Sequence, residues 1–237
     1  MKKRFAIVAL AGLVCAAMAA SGCTRAEKGG ARYFPLKAGM VWTFHFSGSS
    51  GSSGELTTSN LAPRKLFGLK AVPQRNTGGD KSYTEFYAND GLGIRHVAID
   101  EGEGLQSRLN DHSYVIKLPI KIGTNWHEID RTFDGTVYDA TTRIESLSDK
   151  VTVPAGTFSE CVRIRSTGIA SPVRGTAGAA GGGVRLHLVA SDEVSVEDYY
   201  WLAPGVGPVK ATHQETKGEG PMSRSIGFTL ELEHLKK

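Results

Sequence analysis

Cysteine is scarce in this chain, with three among 237 residues at positions 15, 23 and 161, none in C-x-x-C spacing. A disulfide framework and a zinc ribbon are both excluded by that count. Seven histidines occur, yet none is spaced as H-x-H or H-x-x-x-H, so no local metal-binding pattern is present. No G-x-S-x-G marks a serine nucleophile, and no G-x-G-x-x-G or Walker loop marks a phosphate site. The nearest approach, GVGPVK at 205–210, places a proline before its lysine and reads as a tight turn between strands. Long apolar runs are absent beyond residues 5–20, and those 16 residues fall short of the roughly 20 that a membrane-spanning helix needs. The formal charge of +4 comes largely from Lys2, Lys3 and Arg4; without them 25 basic residues face 24 acidic ones. These charges are dispersed, with no basic stripe or aromatic platform for nucleic acid.

What the first residues do contain is a three-part leader: a basic start, the apolar run 5–20, and the small residues Ser21 and Gly22 before Cys23. Ala20, Ser21, Gly22 and Cys23 resemble the lipobox of bacterial lipoproteins, with alanine where leucine is commoner. The resemblance implies removal of residues 1–22, acylation of Cys23 with membrane lipid as the partner, and, because Thr24 and not aspartate follows, sorting to the outer membrane facing the periplasm. Two or more acyl chains give stable anchoring where one is marginal. Cys15 would leave with the leader and Cys23 would be acylated. Cys161, in the strand-like SECVRIR, then reads as a small buried core residue.

Beyond a polar tether at 23–32, the chain from 33 to 237 reads as a single β-rich domain. Short strands separated by turns are expected at 41–46, 65–72, 82–88, 93–99, 112–118 and 126–131. The longest alternator is 136–147, with Val137, Asp139, Thr141, Arg143 and Glu145 on one face and Tyr138, Ala140, Thr142, Ile144 and Ser146 on the other. Residues 151–164 form a strand, a Pro-Ala-Gly turn and a second strand. Further strands are expected at 184–190, 194–202, 206–214 and 226–235. Gly/Ser- and Gly/Ala-rich letters at 47–55 and 168–183 predict flexible loops. The fold class is therefore all-β: a strongly curved, mainly antiparallel sheet or partly closed barrel with few or no helices.

One pattern repeats. Pro35–Trp42 and Pro119–Trp126 share P-[L/I]-K-x-G-x-x-W, 84 residues apart. Proline stops one strand, glycine turns the chain, and tryptophan plugs a sheet edge; the repetition fits either recurring sheet geometry or a duplicated half. Polar clusters are few. In NWHEID, Glu128 and Asp130 share a strand face and read as solvated acids, with an acid/base pair as the alternative. Asp192, Glu193, Glu197 and Asp198 lack the spacing of a calcium loop; the first two read as a hairpin turn and the last two as strand residues.

VTVPAGTFSECVRI at 151–164 and YYWLAPGVGPVKATH at 199–213 resemble a recurrent pair of segments in uncharacterised bacterial exported proteins and lipoproteins. That resemblance implies a curved antiparallel sheet at the envelope and attaches no activity, catalytic residue, metal or cofactor to the motifs. Physically, Pro154 and Pro204 end strands, Gly156, Gly205 and Gly207 permit turns, and Phe158 and Trp201 cover the sheet. Tyr199, Tyr200, Trp201, Pro204, Gly205 and Gly207 form either a structural rim or the mouth of a ligand groove. Tyr199 and Trp201 share one face and Tyr200 the other, so a binding role requires an exposed ring. The function expected is that of a non-catalytic, membrane-anchored scaffold that meets an envelope protein. The alternatives are a carrier for a lipid or other apolar small molecule, and an envelope hydrolase.

Overall fold

The computed structural model describes residues 29–102, 104, 106–109, 112–171, 193–218, 221 and 223–237. Fourteen strands form one antiparallel sheet: β1 Val41–Gly48, β2 Ser53–Asn60, β3 Arg64–Leu66, β4 Leu69–Gly78, β5 Lys81–Asn89, β6 Gly93–Asp100, β7 Ser107–Arg108, β8 Tyr114–Lys117, β9 Asn125–Arg131, β10 Val137–Val153, β11 Gly156–Ala170, β12 Val194–Ala203, β13 Gly207–Lys217 and β14 Arg224–Lys236. The main path runs β7-β6-β5-β4-β2-β1-β14-β13-β12-β11-β10-β9, with β3 on β4 and β8 on β6. Every main pairing joins strands that follow one another along the meander, except β1 with β14, which ties the amino-terminal strands to the carboxy-terminal ones. The sheet curls until β8 and β9 approach, but no ladder forms between them. It is the curled, incompletely closed antiparallel sheet that the turn spacing predicts.

Alternation explains the individual strands. β10 buries Tyr138, Ala140, Thr142 and Ile144 and exposes Val137, Asp139, Thr141 and Arg143, as the period-two pattern requires. In β1, Trp42 and Phe44 turn inward beside Leu232 of β14. Convex side chains are charged: Arg165 pairs with Glu197 and Glu145, and Arg163 with Asp149. Ion pairs this exposed add little stability; they mark a surface bathed in water.

Both ends of β10 arch over the curl. Three register shifts bend the β10–β11 hairpin, and the Ala155 N–H at its tip donates to the Leu232 carbonyl, 2.9 Å away on β14. Val151, Val153 and Cys161 thereby pack with Met40, Trp42, Phe44 and Val209, filling one end with apolar side chains. At the opposite end the β9–β10 turn reaches β13, where the Phe133 N–H donates to Glu215 Oε1 at 2.6 Å. A second apolar cluster of Tyr33, Phe34, Ile94, Ile116, Trp126, Ile144 and Ile164 joins the two halves of the sheet.

Several local expectations differ from the structure. Residues 47–55 end β1, turn over 49–52 and begin β2, because the Ser49 N–H donates to the Gly227 carbonyl and β1 supplies a ladder that small side chains do not oppose. The tether expected through residue 32 is folded from residue 29, where a short helix over 29–33 inserts Tyr33 into the core. The strand expected at 65–72 is split by a turn at Phe67 and Gly68. Gly168 to Ala170 belong to β11 and not to a loop. The rest of that expected loop from 172 on, and the strand expected at 184–190, lie outside the described residues.

Candidate functional site

Four neighbouring strands after β9 carry polar residues in phase with buried apolar ones. The register sets Trp126 of β9 opposite Thr142 of β10, Thr142 opposite Ser166 of β11, Ser166 opposite Asp198 of β12, and Asp198 opposite His213 of β13. Since alternate residues share a face, Glu128, Asp130, Tyr138, Tyr200 and Glu215 stand on the same concave surface. The floor is small: Ala140 faces Glu128, and Gly168 faces Ala140. A Cβ at Gly168 would lie 2.7 Å from Tyr138 Cε2, so only glycine leaves room for the Tyr138 ring to rest across β11.

Three polar groupings result. Glu128 Oε1 accepts from the Thr142 hydroxyl at 2.6 Å, and the Ser166 hydroxyl lies 3.5 Å away. Burial pushes the Glu128 carboxyl up to about 7, against the opposing effect of the Thr142 hydrogen bond; the nearby charges of Asp130 and Asp198 add to the rise. His213 is held between two buried carboxylates, with Nδ1 2.6 Å from Asp198 Oδ1 and Nε2 3.1 Å from Glu215 Oε1. Burial alone would lower the imidazole pKa, but the combined hydrogen bonds and charges of Asp198 and Glu215 raise it. Burial likewise raises Asp198, partly offset by His213. Phe133 and Phe228 cover the His213 ring, the first edge-on and the second stacked.

The third grouping is Tyr138 itself. The residue is 4% exposed, and among the described residues its hydroxyl has no hydrogen-bond partner. Burial, then the charges of Asp130, Asp198, Glu128 and Glu215, hold that hydroxyl well above the ordinary tyrosine range. It is a buried donor and acceptor on the same face as four carboxylates and within reach of their charge. Such an atom is costly to leave unpaired.

The opposite wall comes from the first half of the chain. His96 of β6 stacks on Tyr87 of β5 and lies 3.6 Å from Glu85. Burial lowers its pKa, while the charge of Glu85 and, from across the curl, that of Asp130 act to raise it. A cleft of about 430 Å³ opens where β9 fails to pair with β8, lined by His112, Lys117, Asn125, Trp126, His127, Glu128, Ile129 and Asp139. Trp126 and Glu128 of its lining stand on the concave face with the interior acids, whereas Asn125, His127, Ile129 and Asp139 stand on the outer face, so the cleft borders the interior at Glu128. Among the described residues no group of three or more His, Cys, Asp or Glu side chains is placed to hold a metal ion.

The sequence-derived candidates fall in different places. Tyr199 and Trp201 stack on the convex face, where the Trp201 indole donates to Asp149 and Arg165 lies over Tyr199. Tyr200 alone of the six points into the concave space, 38% exposed. Pro204, Gly205 and Gly207 form a turn docked on the amino-terminal segment: the Gly205 N–H donates to the Arg32 carbonyl, and the Trp42 indole donates to the Val206 carbonyl. Cys23 lies outside the described residues. Glu128 is half-buried and faces the interior, where the sequence reading had a solvated acid, because β9 curls inward beside β10; Asp130 on the same face stays exposed. His213, Glu215 and Tyr138 were not singled out at all. The signal that could have found them is a charged or phenolic residue in phase with buried apolar neighbours, as His213 and Glu215 are with Val209.

No family model matches this chain, and no curated protein sequence matches it. Two solved structures are similar in shape. One is a Bacteroides fragilis protein provisionally described as exported with a YmcC-like fold: 13% identical, covering 86% of this chain and 99% of that one, TM-score 0.49. The other is a Parabacteroides distasonis protein provisionally described as a lipoprotein: 14% identical, covering 86% and 98%, TM-score 0.41.

Proposed function

We propose that this chain is an exported, lipid-anchored protein of the bacterial envelope whose curled sheet is a non-catalytic receptacle for a small polar ligand. The leader and its lipobox-like ending support export and acylation at Cys23, with the outer membrane, periplasmic side, as the site favoured by Thr24. Only five residues separate Cys23 from Gly29, the first residue of the described helix, which keeps the body within about 20 Å of the acylated residue. The receptacle reading rests on one observation: Glu128, Asp130, Tyr138, Asp198 and Glu215, drawn from four strands, stand on one concave surface that a cleft borders at Glu128.

The competing readings fit this geometry less well. A carrier for an apolar molecule needs an apolar cavity, yet the apolar side chains are packed together at the end and seam of the curl and polar ones hold the middle. A hydrolase that used His213 as its base would need an imidazole nitrogen free to take a proton, but both nitrogens of His213 face carboxylates. A pure scaffold leaves the unpaired Tyr138 hydroxyl and the cleft without a role. Native mass spectrometry of protein purified from its own envelope tests the reading. A diacylated amino-terminal Cys23 and a co-purified small molecule are expected; an intact leader, or release only of bulk phospholipid, overturns it.

A further inference from the structure

The chemistry of the interior specifies its ligand more narrowly, given that the receptacle reading holds. Four carboxylates, Glu128, Asp130, Asp198 and Glu215, stand on the concave face around His213, which two of them already engage. The basic residues on the same face, Lys217 and Arg224, pair with each other in register at the exposed rim, beyond Glu215. Into this anionic space points the Tyr138 hydroxyl, on a residue that is 4% exposed and with no hydrogen-bond partner among the described residues. Tyr200 presents a partly exposed ring on the same face. Carboxylates spread over separate strands and mixed with phenol rings suit a cation that is itself extended and partly apolar. They do not suit a metal ion, which needs its ligands gathered at one point.

We propose that this chamber binds a small organic cation carrying protonated amines, admitted through the cleft between β8 and β9, with Glu128 as the first carboxylate met and the Tyr138 hydroxyl as an acceptor for its N–H. Bringing in an ammonium group compensates the crowded carboxylates and satisfies the buried hydroxyl in one step. Such a ligand favours ionised Glu128, whose carboxyl is otherwise pushed up by burial.

The test is calorimetric titration of the full chain, purified in mild detergent, with 1,4-diaminobutane, with its uncharged analogue 1,4-butanediol, and with calcium chloride. Saturable one-to-one binding of the diamine is expected, with at least about tenfold weaker binding of the diol and of calcium. Glu128→Gln and Tyr138→Phe each weaken the diamine about tenfold, while Glu55→Gln on the outer face leaves it unchanged. Both chamber variants preserve side-chain volume, and thermal unfolding confirms that each is folded. Unchanged diamine affinity in both variants, or diol or calcium binding as tight as the diamine, overturns the proposal. A neutral or anionic molecule that co-purifies with the chain and is not displaced by 1,4-diaminobutane overturns the cationic class alone and leaves the receptacle standing. No co-purified molecule and no binding of any probe overturns both.

Discussion

Glu128 is the residue at which interior electrostatics and folding stability meet. Its carboxyl is pushed up to about 7 by burial, whereas an unfolded chain holds a glutamate near 4.3. The native state therefore binds this proton more tightly than the unfolded state. The resulting stability is present in full below about pH 4.3 and is lost as pH rises through about 7. Glu128→Gln removes the charge and keeps an acceptor for Thr142, so urea unfolding should show a gain of about 1–3 kcal/mol at pH 8 and little change at pH 4. A loss at pH 8 would mean that the carboxylate is stabilised by a partner and is not strained by burial. Cys161 makes a separate residue-scale case. It is fully buried, and burial, followed by the charge of Asp149, pushes its thiol up to about 11. Ellman's reagent should leave it unmodified in the native protein and titrate it only in denaturant.

At the scale of elements, the two P-[L/I]-K-x-G-x-x-W segments are one device used twice. Gly39 and Gly123 have φ of 85° and 90°, a conformation that disfavours any side chain. The Gly39 N–H donates to the Asn60 carbonyl and the Asn60 N–H returns to the Met40 carbonyl; Gly123, Ile144 and Thr124 repeat that exchange. Each tryptophan then buries its ring and donates its indole N–H to a backbone carbonyl, Trp42 to Val206 and Trp126 to Tyr114. Gly39→Ala and Gly123→Ala should each cost about 1 kcal/mol or more in urea unfolding, and by similar amounts. A cost at one site alone would show that the shared letters do different work. The hairpin around Pro154 and Ala155 is likewise an end plug as well as a turn, because bulges in β10 and β11 carry its tip across to β14.

For the molecule as a whole, the repeated device opens two successive runs of the sheet, β1 to β8 and then β9 to β14. The halves are joined by a full ladder between β1 and β14, but at the equivalent seam β8 and β9 stay apart and leave the cleft. Hydrogen exchange should follow this asymmetry, slow along β1 and β14 and fastest at the β8 and β9 amides that face the gap. Equal protection at the two seams would indicate that the sheet closes in solution and shuts the route to Glu128. The Phe133 turn and the β10–β11 hairpin, at opposite ends of β10, confine the space between them.

Local chemistry was enough to determine the strands. Period-two alternation in β10, the turn glycines, the Cys161 environment and the tryptophan plugs are all readable without tertiary contacts, since each depends on residues only a few positions apart. Glycine- and serine-rich letters misled at 47–55 and at Gly168 because those residues permit flexibility without requiring it, and a neighbouring ladder or an overlying ring fixed them. The interior site was decided by register. Glu128 and Asp198 lie 70 positions apart, and only the successive pairings from β9 through β13, with the curl that turns that face inward, bring them to one surface. An acid on an alternating strand looks the same in sequence whether its face meets water or a chamber; the curvature of the sheet makes the difference.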